Sequence, residues 1–108
     1  MSYYYEFVGS IDVSPPFSEE EVERYNASHL EGPLPFVTGG VIYSPEDRCY
    51  EDRNVELFLE GIARENPDRE FDGFLVGRGE EIEDIFRLYL AGGRVVRVAP
   101  EWPDPEEY

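Results

Sequence analysis

Residues that could do covalent chemistry are scarce in this chain. It holds one cysteine, Cys49, and one histidine, His29, twenty residues apart. Acyl transfer needs a nucleophile, a base and a group that orients the base, and no third partner accompanies this pair. A lone thiol usually packs as a small hydrophobe, and a lone loop histidine is usually solvated. Carboxylates are abundant instead. With 25 Asp and Glu residues in 108, some acid always lies near another, so no pair is marked out for glycosidase chemistry, which needs a set separation across a cleft. Glu80, Glu81, Glu83 and Asp84 cluster at one predicted turn and offer the oxygen ligands that Ca²⁺ or Mg²⁺ takes. They lack the spacing of an EF-hand loop, and no Cys/His set suits zinc. The cluster therefore reads as a solvated charged turn. No catalytic residue, metal or cofactor is expected, and the chain reads as no enzyme.

Charge is the outlier. Nine basic residues, all arginine, oppose the 25 acids, for a net charge of −16. Such a field repels phosphates, which argues against direct binding of nucleic acid and favours a basic protein partner. A GC-rich genome, which favours arginine over lysine codons, or a salt-rich cytoplasm would produce the same composition without any partner. The carboxylates expected to meet a partner are Glu19, Glu20 and Glu23 on one helix, with Glu80, Glu81, Glu83 and Asp84 at the turn. Tyrosines interleave with the acids, and tyrosine beside charge suits a protein interface. The leading expectation is a non-enzymatic protein-binding module. Its sharper form is a nucleic-acid mimic or inhibitor of the phage or immunity type. The alternative is a small hydrolase or ligand-binding domain with a carboxylate-lined pocket.

The length fits one domain, residues 1–102, with a short acidic tail at 103–108. A 41% hydrophobic and 15% aromatic composition argues against disorder. No run of ~18 apolar residues is present to cross a membrane. The N-terminus lacks a basic stretch followed by an apolar one, so no signal peptide is read. With a single cysteine, the expected home is the cytoplasm.

Three C-terminal segments alternate as strands do: Phe71–Arg78, Ile85–Leu90 and Val95–Ala99. Gly92-Gly93 joins the last two, since glycine accepts the positive φ of a tight hairpin. Pro100 and Pro103 end the sheet region. Near the N-terminus, Tyr3–Val13 alternates as well, with Tyr5, Phe7, Ile11 and Val13 on one side, and Pro15-Pro16 stops it. A helix follows. Ser18 and Glu21 form a capping box, and Phe17 with Val22 a hydrophobic staple. Phe36–Tyr43 reads as a strand interrupted by Gly39-Gly40, a hairpin or a bulge.

The second helix is the clearer one. Val55, Phe58, Leu59, Ile62 and Ala63 make one apolar stripe of 3.6-residue period, capped by Asp52 or Asn54 and closed at Asn66-Pro67. Phe58, Leu59 and Ile62 are expected at the core centre. Arg78, Arg87 and Arg97 are expected to pair with acids across the sheet, with Arg87 anchored beside Phe86. The expected fold is α+β: an antiparallel sheet of four or five strands in the order β-α-β-α-β-β-β, with the longer helix on one face.

Two parts of the chain resemble a family of small actinobacterial proteins of unknown function. One is the opening run Gly9-Ser-Ile-Asp-Val-Ser-Pro-Pro-Phe-Ser-Glu-Glu-Glu. The other is the closing series Phe71-Asp-Gly-Phe-Leu, Gly79-Glu80-Glu81, Asp84-Ile-Phe86-Arg87-Leu88 and Gly93-Arg94-Val95-Val96, ending at Trp102. The middle, from Ser28 to Tyr50, departs from that pattern. The resemblance implies an architecture of strand, Pro-Pro, helix and three final strands. It implies no activity.

Overall fold

The computed structural model describes residues 5–27, 34–44, 49–50, 52–79 and 84–100. The chain is α+β. Its elements are β1 (Tyr5–Ser14), α1 (Glu19–Ala27), β2 (Phe36–Val37), β3 (Val41–Tyr43), β4 (Cys49–Tyr50), α2 (Asp52–Glu65), β5 (Glu70–Arg78), β6 (Ile85–Ala91) and β7 (Arg94–Val98). The strands form one antiparallel sheet in the order β2-β3-β1-β5-β6-β7. β4 also pairs with β1, beyond β3 on the same edge. The sheet thus contains more short segments than the four or five strands expected. Gly39-Gly40 lies in a hairpin between β2 and β3, and β4 is too short for its alternation to be visible in sequence.

The long central ladder joins β1 to β5, from Glu6 opposite Arg78 to Ser14 opposite Glu70. Alternation sends Phe7, Ile11 and Val13 of β1, Leu75 of β5, and Phe86, Leu88 and Leu90 of β6 to one face, where all are buried. α2 packs on that face over β6 and β7. Val55, Leu59, Ile62 and Ala63 are at most 1% exposed, so the predicted stripe is the buried one. Phe58 is the exception: it is partly buried and packs against the core rather than at its centre. α2 begins at Asp52, so Asn54 lies within its first turn rather than at its cap.

Glycines make the ladder possible. Gly9 and Gly73 have φ of 106° and 110°, and a Cβ on either would stand 2.7 Å or 2.5 Å from a carbonyl oxygen of the facing strand. Gly77 leaves room of another kind. A Cβ there would meet Phe86 at 2.5 Å and Phe7 at 2.8 Å, the two rings that pack edge-to-face at 5.8 Å over it. The Gly92-Gly93 hairpin has positive φ at both positions, as a tight turn requires.

Both lateral edges of the sheet are covered by a side chain from a helix. Asn26 of α1 donates to the Val37 carbonyl (2.8 Å) and accepts from the Val37 N–H (2.9 Å), taking the place of a further strand on β2. Glu60 of α2 accepts the Val95 N–H of β7 at 2.8 Å. Exposed strand edges invite pairing with other chains, and these two contacts blunt them.

Gly77→Ala is expected to destabilise the fold by ~1–3 kcal/mol, because the added methyl must displace two packed rings. Gly61, by contrast, sits exposed in α2 with no atom near its would-be Cβ. Gly61→Ala is expected to stabilise by ~0.5–1 kcal/mol through helix propensity. Urea unfolding of both variants checks the opposite signs. Leu59→Ala, at a fully buried position, is expected to lose ~2–5 kcal/mol in the same assay.

Candidate functional site

The capping box forms as its residue types predict. The Ser18 N–H donates to Glu21 Oε1 (3.0 Å), and the Glu21 N–H donates to Ser18 Oγ (3.2 Å). Phe17 is buried, and Val22 packs against the core beside it. A helix turns 100° per residue, so with Tyr25 and Val22 facing inward, Glu19, Glu20 and Glu23 fall within one outward arc. All three are exposed, and none of their side chains has a hydrogen-bond or ion-pair partner among the described residues. Glu21 lies on the inward side and is taken up by the fold.

Its partner, Arg69, is the residue that sequence reasoning missed. Arg69 holds both oxygens of Glu21, Nη1 to Oε2 at 2.7 Å and Nη2 to Oε1 at 3.0 Å. It also donates to the Pro15 carbonyl (3.0 Å), the Pro16 carbonyl (3.3 Å) and Asn66 Oδ1. Its guanidinium lies 4.8 Å from the centre of the Phe17 ring. One side chain therefore joins the end of β1, the start of α1 and the turn after α2. Asn66 extends the network by donating to the Ile62 carbonyl (2.7 Å) and to Tyr25 Oη (2.9 Å). The Tyr25 hydroxyl donates to Glu65 Oε2 at 3.2 Å, and Arg24 pairs with the same oxygen at 2.8 Å.

The charge-assisted bonds from Arg69, with the Ser18 N–H, pull the Glu21 carboxyl down from 4.5 to about 2. Arg69 is correspondingly raised, chiefly by its bonds to Glu21. Glu60 is lowered as well, first by the Val95 N–H. These shifts belong to structural bonds rather than to a reactive centre.

The predicted turn cluster is a separate matter. Glu80, Glu81 and Glu83 lie outside the described residues, as does His29. Asp84 is half-buried, and its carbonyl accepts the Gly79 N–H at 2.7 Å. It adjoins the Arg78–Ile85 end of the β5–β6 ladder. α1 instead follows Ser14, at the Glu70 end. Asp84 and the α1 glutamates therefore occupy opposite ends of the sheet and do not form one site. Cys49 pairs through its backbone with Glu6. Among the described residues, no group of three or more His, Cys, Asp or Glu is placed to hold a metal.

The strand arginines partly depart from expectation. Arg78 pairs with Glu6 across the ladder at 3.1 Å, as expected. Arg97 reaches Glu56 of α2 at 3.1 Å rather than an acid on the sheet, and stacks 3.7 Å over Phe86. Arg87 stacks on Phe74 at 4.3 Å, not on Phe86, because adjacent residues on a strand face opposite sides.

Shallow, open grooves among the described residues include the following three. One of about 560 Å³ between α2 and β7 is lined by Arg53, Glu56, Leu57, Glu60, Arg64 and Val95 with Arg97. Its Arg64–Glu60 and Arg97–Glu56 pairs neutralise one another. One of about 470 Å³ lies between α1 and the β2–β3 hairpin, with Phe17, Val22 and Val37 as its floor and Glu19 and Glu23 on its rim. The third, about 430 Å³, lies on the sheet face opposite the helices, around Val76, Tyr89 and Val98.

The fold and these surfaces define a small α+β protein with a helix layer on one sheet face, an anionic first helix and a second face that no described element covers. Compared with known proteins, the chain matches no family model, no curated protein and no solved structure. No described helix is long and apolar enough to cross a membrane.

The Glu21 contribution to stability has a definite pH window. A carboxyl depressed in the folded state stabilises fully above its unfolded value, and the gain is lost as pH falls through its folded value. For Glu21 that window runs from about 4.5 down to about 2. Thermal melts should show wild type more stable than Glu21→Gln above pH 5, with the gap closing towards pH 2. A gap that stays constant across this range would contradict the bonding described.

Proposed function

We propose that this chain is a non-enzymatic protein-binding module that engages a basic partner through the outward carboxylates of α1, Glu19, Glu20 and Glu23. The observation that carries the reading is how charge is used. Arg24, Arg64, Arg69, Arg78 and Arg97 are each committed to a carboxylate. The three glutamates on the outer arc of α1 have no such partner among the described residues. Glu19 and Glu23 border the groove over Phe17, Val22 and Val37, where the aliphatic stem of a partner's lysine or arginine would find apolar contact while its head meets either carboxylate. The narrower form of the proposal is a mimic of a nucleic-acid backbone that occupies a basic binding protein. The likeness of the two chain ends to small actinobacterial proteins accompanies this proposal and adds no activity to it.

Affinity capture on immobilised protein, comparing wild type with the Glu19→Gln/Glu20→Gln/Glu23→Gln variant, tests it. Basic proteins retained at about 0.05 M salt should be released by about 0.3 M, because exposed charge pairs are screened over that range. The triple variant should retain roughly tenfold less or lower. Equal retention by wild type and variant, or none at low salt, would count against the proposal.

A further inference from the structure

The two helices are held to the sheet by different means. α1 has nine residues, and of these it buries Tyr25, with Val22 partly buried beside it. α2 runs over fourteen residues and buries Val55, Leu59, Ile62 and Ala63. Helices shorter than ~12–15 residues are marginal by themselves, so α1 depends on what pins it. Its main neighbour among the elements is β2, a two-residue strand at the edge of the sheet.

The pins are polar. Glu21 is held by Arg69, the Tyr25 hydroxyl by Asn66 and Glu65, and Arg24 by Glu65, while Asn26 grips both backbone groups of Val37. Arg69 spans a boundary. On one side it bonds the Pro15 and Pro16 carbonyls and Asn66 and lies against the Phe17 ring; on the other it holds Glu21. Phe17 is tied to the β2–β3 hairpin, its N–H donating to the Gly39 carbonyl at 2.6 Å. The fixed frame thus ends at Phe17, and the exposed Ser18 comes next. Bonds broken at a partly wet surface are replaced by bonds to water, so each contributes little net. Undocking α2 would instead strip four buried apolar side chains.

We propose that α1 is a latched flap: it undocks as one unit, pivoting at Ser18, while the β1–β5 ladder and α2 stay folded, and Arg69 is the latch. Opening lifts Tyr25 from the Phe17 ring, on which it packs edge-to-face at 5.3 Å. It also withdraws Asn26 from Val37, so that the N–H and carbonyl of Val37 lose the side chain that covers them. A blunted sheet edge becomes a free one, the kind that pairs with an added strand. Glu19, Glu20 and Glu23 ride on the flap and face outward in the closed state. The inference does not depend on their meeting a basic partner.

Residue-resolved amide hydrogen exchange on the full chain, at one pH and in urea below the unfolding range, tests this. A part that opens by itself exchanges faster than the whole protein unfolds, and its rate responds weakly to urea because little surface is exposed. The amides of residues 22–27 should share one protection level with the Val37 amide, which Asn26 holds. That level should lie about 100-fold or more below the β1–β5 ladder and be nearly flat against urea. Glu21→Gln keeps an oxygen for the Ser18 N–H but gives up the charged pair with Arg69, and should speed exchange of this set about tenfold or more. Tyr25→Phe keeps the ring and loses the bonds to Asn66 and Glu65, and should speed the same set roughly threefold or more. Circular dichroism confirms folding; if a variant does not fold, the wild-type protection levels and urea slopes decide the matter. Residues 22–27 with the protection and urea slope of the ladder overturn the proposal. So does a Val37 amide that follows the ladder rather than α1, or exchange in α1 that neither substitution moves.

Discussion

The ladder between β1 and β5 is the constraint on which the rest depends. It pairs segments more than fifty residues apart, from Glu6 with Arg78 to Ser14 with Glu70, and β1 uses its other edge for β3 and β4. Because side chains alternate, a slip of one residue would turn Phe7, Ile11, Val13 and Leu75 out of the core together. Register is therefore held by the full buried face. The close approach at Gly9 and Gly73, and the space left by Gly77 beneath Phe7 and Phe86, hold only in this register. Arg69 then fixes the far end, where β1 leaves the sheet for α1 and α2 returns to β5.

A net charge of −16 destabilises a compact state through self-repulsion. The structure shows how a small number of cations is used against it. Arginine is placed where its planar fork serves several acceptors at once, as Arg69 does, or where it both stacks and pairs, as Arg97 does over Phe86 and against Glu56. Some acids likewise serve as connectors. Glu21 caps α1 and holds Arg69, and Glu60 covers the β7 edge. The remaining carboxylates on α1 are left outward.

The features legible in the chain were those whose partners lie within about four residues. Ser18 and Glu21 announce a cap because both ends of the bond sit in one helical turn. Val55, Leu59 and Ile62 announce a buried stripe, and the alternation of Phe71–Arg78 and Ile85–Leu90 announces strands, because periodicity is a local property. Gly92-Gly93 announces a hairpin for the same reason. Where periodicity was too brief, as in β4, or where a side chain could go either way, as with Phe58, local reading fell short. The seven-acid interaction set proved divisible: Glu19, Glu20 and Glu23 share one arc of α1, Asp84 stands at the other end of the sheet, and Glu80, Glu81 and Glu83 lie outside the described residues.

By itself, then, the amino-acid order determined which segments become helix or strand and which side of each is apolar, since these follow from backbone periodicity and nearest-neighbour capping. Tertiary structure decided what each polar group does. Glu21, unlike Glu20, reaches Arg69, 48 residues away, as well as capping Ser18 within its own turn. Asn26 covers Val37, Glu60 covers Val95, and Asp12 faces Asp72, all across separations that no local pattern encodes. Which sheet face the longer helix covers is likewise set only when α2 folds back over β6 and β7. The reason is physical: a charge or amide is defined by what desolvates and bonds it, and those groups arrive from distant parts of the chain.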